Sequence, residues 1–134
     1  MMHRLEEVLG RAAMEDKTVI LTTLNDAWAE AGSVFDLFLE SFRIGNQTQR
    51  LLNHLVVIAM DQKAYDRCVQ IHPHCFAADP RGVNYAGGEA YYMTPDYLQM
   101  MWARVDLLAS VLRSGYNFLF TVFKFLYIYI NAKL

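Results

Sequence analysis

The stretch that decides the fold is 55–60, LVVIAM, which is apolar without interruption. Such a run predicts a strand that is covered on both faces, as in a parallel sheet. Asp61 comes next and can cap a helix over residues 62–70. A strand is also predicted upstream, at residues 18–23 (TVILTT), where a β-branched run follows a turn-like segment. The sequence therefore predicts two strands separated by helical segments.

Apolar spacing predicts the helices that surround these strands. The first has its apolar residues at helical spacing: Leu5, Val8, Leu9 and Ala12. The second is predicted over residues 34–44. Ser33 and Asp36 resemble a capping box at its start, and Gly45 is placed to end it in a left-handed cap.

The longest predicted helix begins with Thr94 as its N-cap and Pro95 as its first residue, and it ends at Gly115. Its aromatic residues are expected in the core. The apolar stripe of this helix comprises Tyr97, Leu98, Met101, Trp102, Val105, Leu108, Ala109 and Leu112.

Two shorter strands complete the predicted order. One covers residues 74–77, and the other covers residues 117–123, which are apolar on both faces and suit a central strand. The longest loop, residues 79–89, follows the third strand. Because strands alternate with helices throughout, we expect an α/β fold, Rossmann-like, with a mainly parallel sheet and right-handed crossovers.

Composition excludes several classes of protein. The chain has 134 residues, of which 54% are hydrophobic and 19% charged, so one well-packed core is expected and disorder is excluded. A net charge of -2 without a basic, aromatic-rich run argues against nucleic acid as a partner. Charged residues near the N-terminus do not fit a signal peptide, and no run approaches the roughly 20 apolar residues of a membrane span. As written, the chain is expected to be soluble and not exported, without a membrane anchor.

Four potential metal ligands occur close together: Cys68, His72, His74 and Cys75. Their spacing matches no standard zinc pattern, and Pro73 interrupts any helical face. Two buried free cysteines with capping or surface histidines are the favoured interpretation. A disulfide between the cysteines comes second and a zinc site last.

Polar side chains follow the first two predicted strands. Open parallel sheets bind ligands outside the carboxyl ends of their strands, where helix N-termini favour phosphate. Thr22, Thr23 and Asn25 lie at the end of the first strand, where turn and capping chemistry is the favoured interpretation and binding of a base or ribose is the alternative. Asp61 ends the second strand and could bind a ribose or base, or serve only as an N-cap.

Other motifs for chemistry are missing. The glycines at 87–88 lack the spacing of a phosphate-binding loop, and no nucleophile elbow places a serine or cysteine for catalysis. We therefore expect no catalytic residue of these classes.

Five consecutive blocks resemble a known family: TVILTTLNDAWAEAGSVFDLFLESF (18–42), LLNHLVVIAMDQKAYDRC (51–68), IHPHCF (71–76), YYMTPDYLQMMWARVDLL (91–108) and GYNFLFT (115–121). In this order they resemble the plant nucleotide-diphospho-sugar transferase family, which holds GT-A type glycosyltransferases related to the arabinosyl- and xylosyltransferases of cell-wall assembly. The resemblance covers nearly all of residues 5–121 and implies a nucleotide-sugar-binding part of a glycosyltransferase domain.

The resemblance implies a Golgi-lumenal enzyme, usually membrane-anchored, that transfers a sugar from a nucleotide donor with a divalent metal such as manganese. Arg104 lies among the apolar stripe of the longest helix, where the favoured interpretation is an arginine whose stem covers the core and whose head reaches solvent, and the alternative is a partner of the donor's diphosphate. In family members the strand matching residues 116–121 leads into an Asp-x-Asp motif that holds the metal. Here its two acidic positions fall on Val122 and Lys124, and neither side chain can bind a cation.

Without these carboxylates, and without the acceptor-binding half that follows them in the family, we expect weak nucleotide-sugar binding at most, no metal and no transferase activity. The alternative is a non-catalytic protein that associates with itself or with a full-length relative through an open sheet edge.

Residues 122–134 form a hydrophobic tail that has no counterpart in the family. Residues 123–131 (FKFLYIYIN) use only amino acids with codons built from A and T, and Val122 requires a codon beginning with GT. Plant introns share both properties, so we hypothesise that translation, or a gene model, continues into a retained intron directly after Thr121. A β-prone tail with so little charge is also expected to promote aggregation.

Overall fold

The computed structural model describes residues 2–25, 32, 34–78 and 95–121, leaving aside the side chains of 2–4 and 95–101. The elements in chain order are α1 (Met2–Ala12), β1 (Thr18–Leu24), α2 (Val34–Ile44), a 3-10 helix (Gln49–His54), β2 (Leu55–Ala59), α3 (Gln62–Ile71), β3 (Cys75–Ala77), α4 (Pro95–Arg113) and β4 (Asn117–Phe120). Every predicted helix and strand is present, and the 3-10 helix is additional.

The four strands form one parallel sheet in the order β3-β2-β1-β4. In β1, Ile20 lies opposite Leu55 of β2 on one side and Leu119 of β4 on the other. Val57 of β2 lies opposite Cys75 of β3. The predicted α/β class, a Rossmann-like half-domain with a parallel sheet and flanking helices, is confirmed.

Helices cover both faces of the sheet and divide the core into two layers. Alternation along β1 directs Ile20 and Leu24 to the face covered by α2 and α3, and it directs Val19 and Leu21 to the face covered by α1 and α4. All five residues of β2 are buried because this strand has a neighbour on each side and helices on each face. The continuous apolar run at 55–60 is thereby explained.

The helix ends agree with the sequence in two places and differ in a third. Asp61 caps α3, and Gly115 follows α4 with a φ of 91°. Gly45 lacks a positive φ, so the predicted left-handed cap is wrong. Glycine is required at position 45 for a different reason, because a Cβ there would collide with the hydroxyl of Thr48. That hydroxyl donates a hydrogen bond to the carbonyl of Phe42 at 2.7 Å.

Only part of the predicted apolar stripe of α4 packs on the sheet. Leu107, Leu108 and Val111 contact the sheet, whereas Trp102, Val105 and Leu112 of the predicted stripe are about half exposed or more. Trp102 is therefore not a core residue.

The strand β4 is an edge strand among the described residues, although its apolar sequence suggested a central one. Phe118 and Phe120 pack towards α4, while Leu119 points to the other face and is 63% exposed. Apolar composition alone could not distinguish a covered strand from an edge strand.

Several predictions fall outside the described residues: the caps Ser33 and Thr94, the loop at 79–89 and the tail at 122–134. Within the described residues, no helix has the length and hydropathy needed to cross a membrane.

Candidate functional site

The carboxyl end of β1 carries two polar atoms that lie out of reach of solvent. Thr22 is fully buried on the face covered by α2 and α3, and its Oγ1 has no hydrogen-bond partner. The Oδ1 of Asn25, directly after the strand, is likewise buried and unpartnered. Thr23, between Thr22 and Leu24, points to the opposite face and is half-buried. An unpaired buried oxygen is costly, so this end of the strand departs from ordinary core packing.

This strand end borders the point where the sheet reverses its order. The chain leaves β1 towards β2 on one side, and it returns through α4 to β4 on the other. The Thr121 amide donates to the carbonyl of Leu21 at 2.9 Å, so β1 runs three residues beyond its last partner in β4. Open α/β sheets bind ligands in the crevice at such a reversal, outside the carboxyl ends of the strands.

Asp61 lies at the same edge of the sheet, one strand further from the reversal. The Met60 amide donates to the Leu24 carbonyl at 2.8 Å and joins the ends of β1 and β2. Asp61 is 8% exposed, and its Oδ1 accepts a hydrogen bond from the Ala64 amide at 2.7 Å. Its role as an N-cap is therefore present in the structure, and a role towards a ligand stays a prediction.

The guanidinium of Arg104 lies near the carboxyl end of β4. Its central carbon is 5.7 Å from the ring centroid of Phe120, in cation–π range. The side chain is half-buried, and its charge lies beside the strand end rather than far out in solvent. The structure thus brings four predicted residues and this arginine to the same edge of the sheet, while their contact with a donor stays a prediction.

Sequence reasoning missed an ion pair that joins α2 to α3. The guanidinium of Arg67 donates to both carboxylate oxygens of Asp36 at 3.0 Å, and Asp36 also accepts from the Gly32 amide at 2.7 Å. The sequence pattern instead suggests that Asp36 forms a capping box with Ser33. The spacing of 31 residues between the two partners leaves no local signal from which the pair could be predicted.

The two cysteines form a disulfide. Cys68 near the end of α3 is bonded to Cys75 at the start of β3, with their Cα atoms 6.2 Å apart. The favoured interpretation, two free buried cysteines, is therefore wrong, and so is the zinc interpretation, because disulfide sulfurs are not thiolate ligands. Among residues 2–25, 32, 34–78 and 95–121, no cluster of three or more His, Cys, Asp or Glu could hold a metal ion.

The neighbouring histidines lie at the amino ends of the strands, away from the candidate site. The Nε2 of His72 is 2.6 Å from the Leu55 carbonyl, to which a neutral ring donates. Burial lowers the pKa of His72, and it also lowers the pKa of the half-buried His74. Both observations favour neutral, structural histidines.

Comparisons with known proteins identify relatives of this chain. A family profile for nucleotide-diphospho-sugar transferase matches residues 50–122. The uncharacterized Arabidopsis thaliana protein At4g15970 is 52% identical over 120 residues, which is 89% of this chain and 32% of that protein. The uncharacterized Arabidopsis thaliana protein At1g28695 is 44% identical over 114 residues, or 82% and 35% of the two chains. The chain thus spans about a third of the length of these relatives. No solved structure shows a significant match.

Proposed function

Because the chain belongs to the nucleotide-diphospho-sugar transferase family, we propose that the carboxyl edge of its sheet binds the nucleoside diphosphate part of a sugar donor. The observation that carries the proposal is the pair of buried, unpartnered oxygens on Thr22 and Asn25. A base or ribose bound after a local rearrangement that exposes these oxygens would supply the missing hydrogen bonds, and their energetic cost in the free protein would then have a functional reason.

In this proposal, different residues at the carboxyl edge of the sheet contact two parts of the donor, the nucleoside and the diphosphate. Asn25 Oδ1 accepts an N–H of the base or an O–H of the ribose beside the end of β1. Thr22, which is buried beneath Asn25, and Thr23 form the floor of the proposed donor site. Arg104 supplies a positive charge at the end of β4, where the two phosphates would need neutralisation. Asp61 caps α3 and thereby positions the start of this helix, which borders the proposed donor site on the β2 side.

Sugar transfer is a separate question from donor binding. Family resemblance assigns the metal-binding positions to Val122 and Lys124, which supply no carboxylate. These residues, together with the lack of a metal-binding cluster in the described part of the chain, do not fit a divalent cation. We therefore assign this chain a GT-A type donor site without metal-dependent transfer. The disulfide supports the Golgi lumen as its compartment, because disulfides persist in oxidising compartments.

Calorimetric titration with a panel of nucleoside diphosphates, each with and without manganese, tests the proposal. We expect weak binding that manganese does not strengthen. Asn25→Ala is expected to weaken binding about fivefold, which corresponds to one hydrogen bond of roughly 1 kcal/mol. Asn53→Ala, an exposed asparagine at the amino edge, is the matched control and should leave affinity unchanged. Absence of binding, or equal effects of the two variants, would contradict the site.

A transfer assay tests the second part. With a nucleotide-sugar and manganese, we expect neither sugar transfer nor donor hydrolysis above a reaction without protein. Transfer that manganese stimulates would show that Val122 and Lys124 do not stand at the metal positions.

A second candidate function, pairing with a longer relative, is favoured by the exposed Leu119 on the β4 edge. No nucleotide binding, alongside a stable complex with such a relative, would favour it over the donor site.

A further inference from the structure

The turn that follows α2 carries an acceptor sequence for N-linked glycosylation. Residues 46–48 read Asn-Gln-Thr, which fits the pattern Asn-x-Ser/Thr with a residue other than proline in the middle. Among the asparagines of this chain, Asn46 alone has a serine or threonine two positions later. The sequence thus offers one position for this modification.

The side chain of Asn46 lies at the surface. Asn46 and Gln47 are both exposed, and they belong to the turn between α2 and the 3-10 helix. Gln47 has a φ of 60°, in the left-handed region that tight turns use. An N-linked glycan is bulky and hydrophilic and is carried on surface loops. Ile44, two residues before Asn46, is 68% exposed, and a glycan on Asn46 would cover part of it.

The turn lies on the opposite edge of the sheet from the proposed donor site. Because β1 and β2 are parallel, α2 runs from the carboxyl end of β1 back to the amino end of β2. The 11 residues of α2 make a helix of about 16 Å, which separates the turn from the undescribed residues before this helix. A glycan on Asn46 would therefore stand well away from Thr22 and Asn25.

The disulfide gives an independent reason to expect contact with the glycosylation machinery. Cys68 and Cys75 are bonded in the folded chain, and disulfides form in oxidising compartments such as the lumen of the endoplasmic reticulum. Proteins that enter this lumen are also the ones that receive N-linked glycans. The inference therefore rests on the lumenal compartment proposed above, and it does not rest on nucleotide binding.

The folded turn engages the hydroxyl group that the acceptor pattern requires. The hydroxyl of Thr48 donates to the carbonyl of Phe42 at 2.7 Å, and the Gly45 amide donates to the Ser41 carbonyl at 3.1 Å. A threonine hydroxyl has one proton to donate, so the proton of Thr48 is committed once the turn has closed. A transferase that must recognise this hydroxyl therefore meets it before the turn folds.

We propose that Asn46 carries an N-linked glycan, attached in the lumen of the endoplasmic reticulum before the turn at residues 45–48 folds. The co-reactant is an oligosaccharide joined through its anomeric carbon to a lipid pyrophosphate. The amide Nδ2 of Asn46 forms a bond to that carbon, and the bond from the carbon to the pyrophosphate oxygen breaks. The lipid pyrophosphate leaves with the electron pair, and one amide proton passes to a base of the transferase.

Mass spectrometry of the full chain tests the site. The chain is produced in plant cells behind a cleavable secretory leader, and it is also isolated from the tissue that makes it. In both cases we expect one oligosaccharide at Asn46, which a peptide-N-glycosidase removes. Asn46→Gln and Thr48→Ala should lack it, whereas Thr48→Ser should keep it. Asn53→Gln, at an exposed asparagine outside the acceptor pattern, is the matched control and should also keep it.

A second measurement tests the order of folding and modification. The oxidised, folded chain and the reduced, unfolded chain are each given to the solubilised transferase with its lipid-linked oligosaccharide. We expect the folded chain to react at least about tenfold more slowly, since only molecules whose turn has opened locally can react. Asn46→Gln should not react in either state.

Three outcomes overturn the proposal. They are an unmodified Asn46 in either preparation, a glycan that persists in Asn46→Gln, and equal rates for the folded and unfolded chains. None of these readouts involves a nucleotide, so failure of the glycosylation site and failure of the donor site are distinguishable.

Discussion

The strands β2 and β4 have similarly apolar sequences, LVVIA and NFLF, but very different surroundings. Every residue of β2 is buried, whereas burial alternates along β4 and Leu119 is largely exposed. Position in the sheet makes the difference, since in the described part of the chain β2 has two neighbouring strands and β4 has one. An apolar sequence indicates that a segment favours a strand. It does not indicate how many neighbouring strands and helices cover that strand. We therefore expect β2 to contribute far more to the stability of the fold than β4.

The largest expected effect separates these strands directly. Ile58→Ala should lower the free energy of unfolding by about 3–4 kcal/mol, because Ile58 is fully buried and its removal leaves a cavity. Leu119→Ala, measured at low protein concentration, should cost less than about 0.5 kcal/mol. Chemical denaturation of both variants tests this difference. Equal losses of unfolding free energy in the two variants would contradict it.

The disulfide between Cys68 and Cys75 joins α3 to β3. Replacing both Cys68 and Cys75 by serine should lower the free energy of unfolding by about 2–3 kcal/mol, the value expected for a short closed loop. Denaturation of the double variant and of the reduced wild type, each compared with the oxidised wild type, measures it. A stability unchanged by reduction would mean that the bond is not formed in solution.

A smaller change of opposite sign is expected at Thr22. Thr22→Val keeps the shape and removes the unpartnered hydroxyl, so stability should rise by up to about 1 kcal/mol. Thermal unfolding with and without nucleoside diphosphate measures both stability and binding. A destabilised variant would show that the hydroxyl has a partner in the folded protein.

The smallest effect concerns pH. Burial holds the pKa of His72 below its ordinary value of 6.5, so the unfolded chain binds more protons at His72 once the pH falls below that value. The free energy of unfolding should therefore be highest above pH 6.5 and fall between pH 6.5 and 5. His72→Gln should flatten this slope in denaturation across that range. A slope that the variant leaves unchanged would place the titration elsewhere.

Local signals predicted most of the fold. The run at 55–60 gave β2, and Asp61 gave the start of α3, because strand burial and N-capping depend on adjacent residues. The buried face of α4, the reason for Gly45 and the partner of Asp36 were missed because each depends on residues distant in sequence. Of the candidate site, sequence placed Thr22, Asn25 and Asp61 at one edge through strand polarity. It could not show that two of their oxygens lack partners.

Amide hydrogen exchange with and without a nucleoside diphosphate tests the donor site most directly. We predict slower exchange at residues 22–25 and around Thr121, with no change at residues 72–75 on the opposite edge. Protection confined to residues 72–75, or no protection anywhere at saturating nucleotide, would contradict the assignment of the donor site to the carboxyl edge of β1.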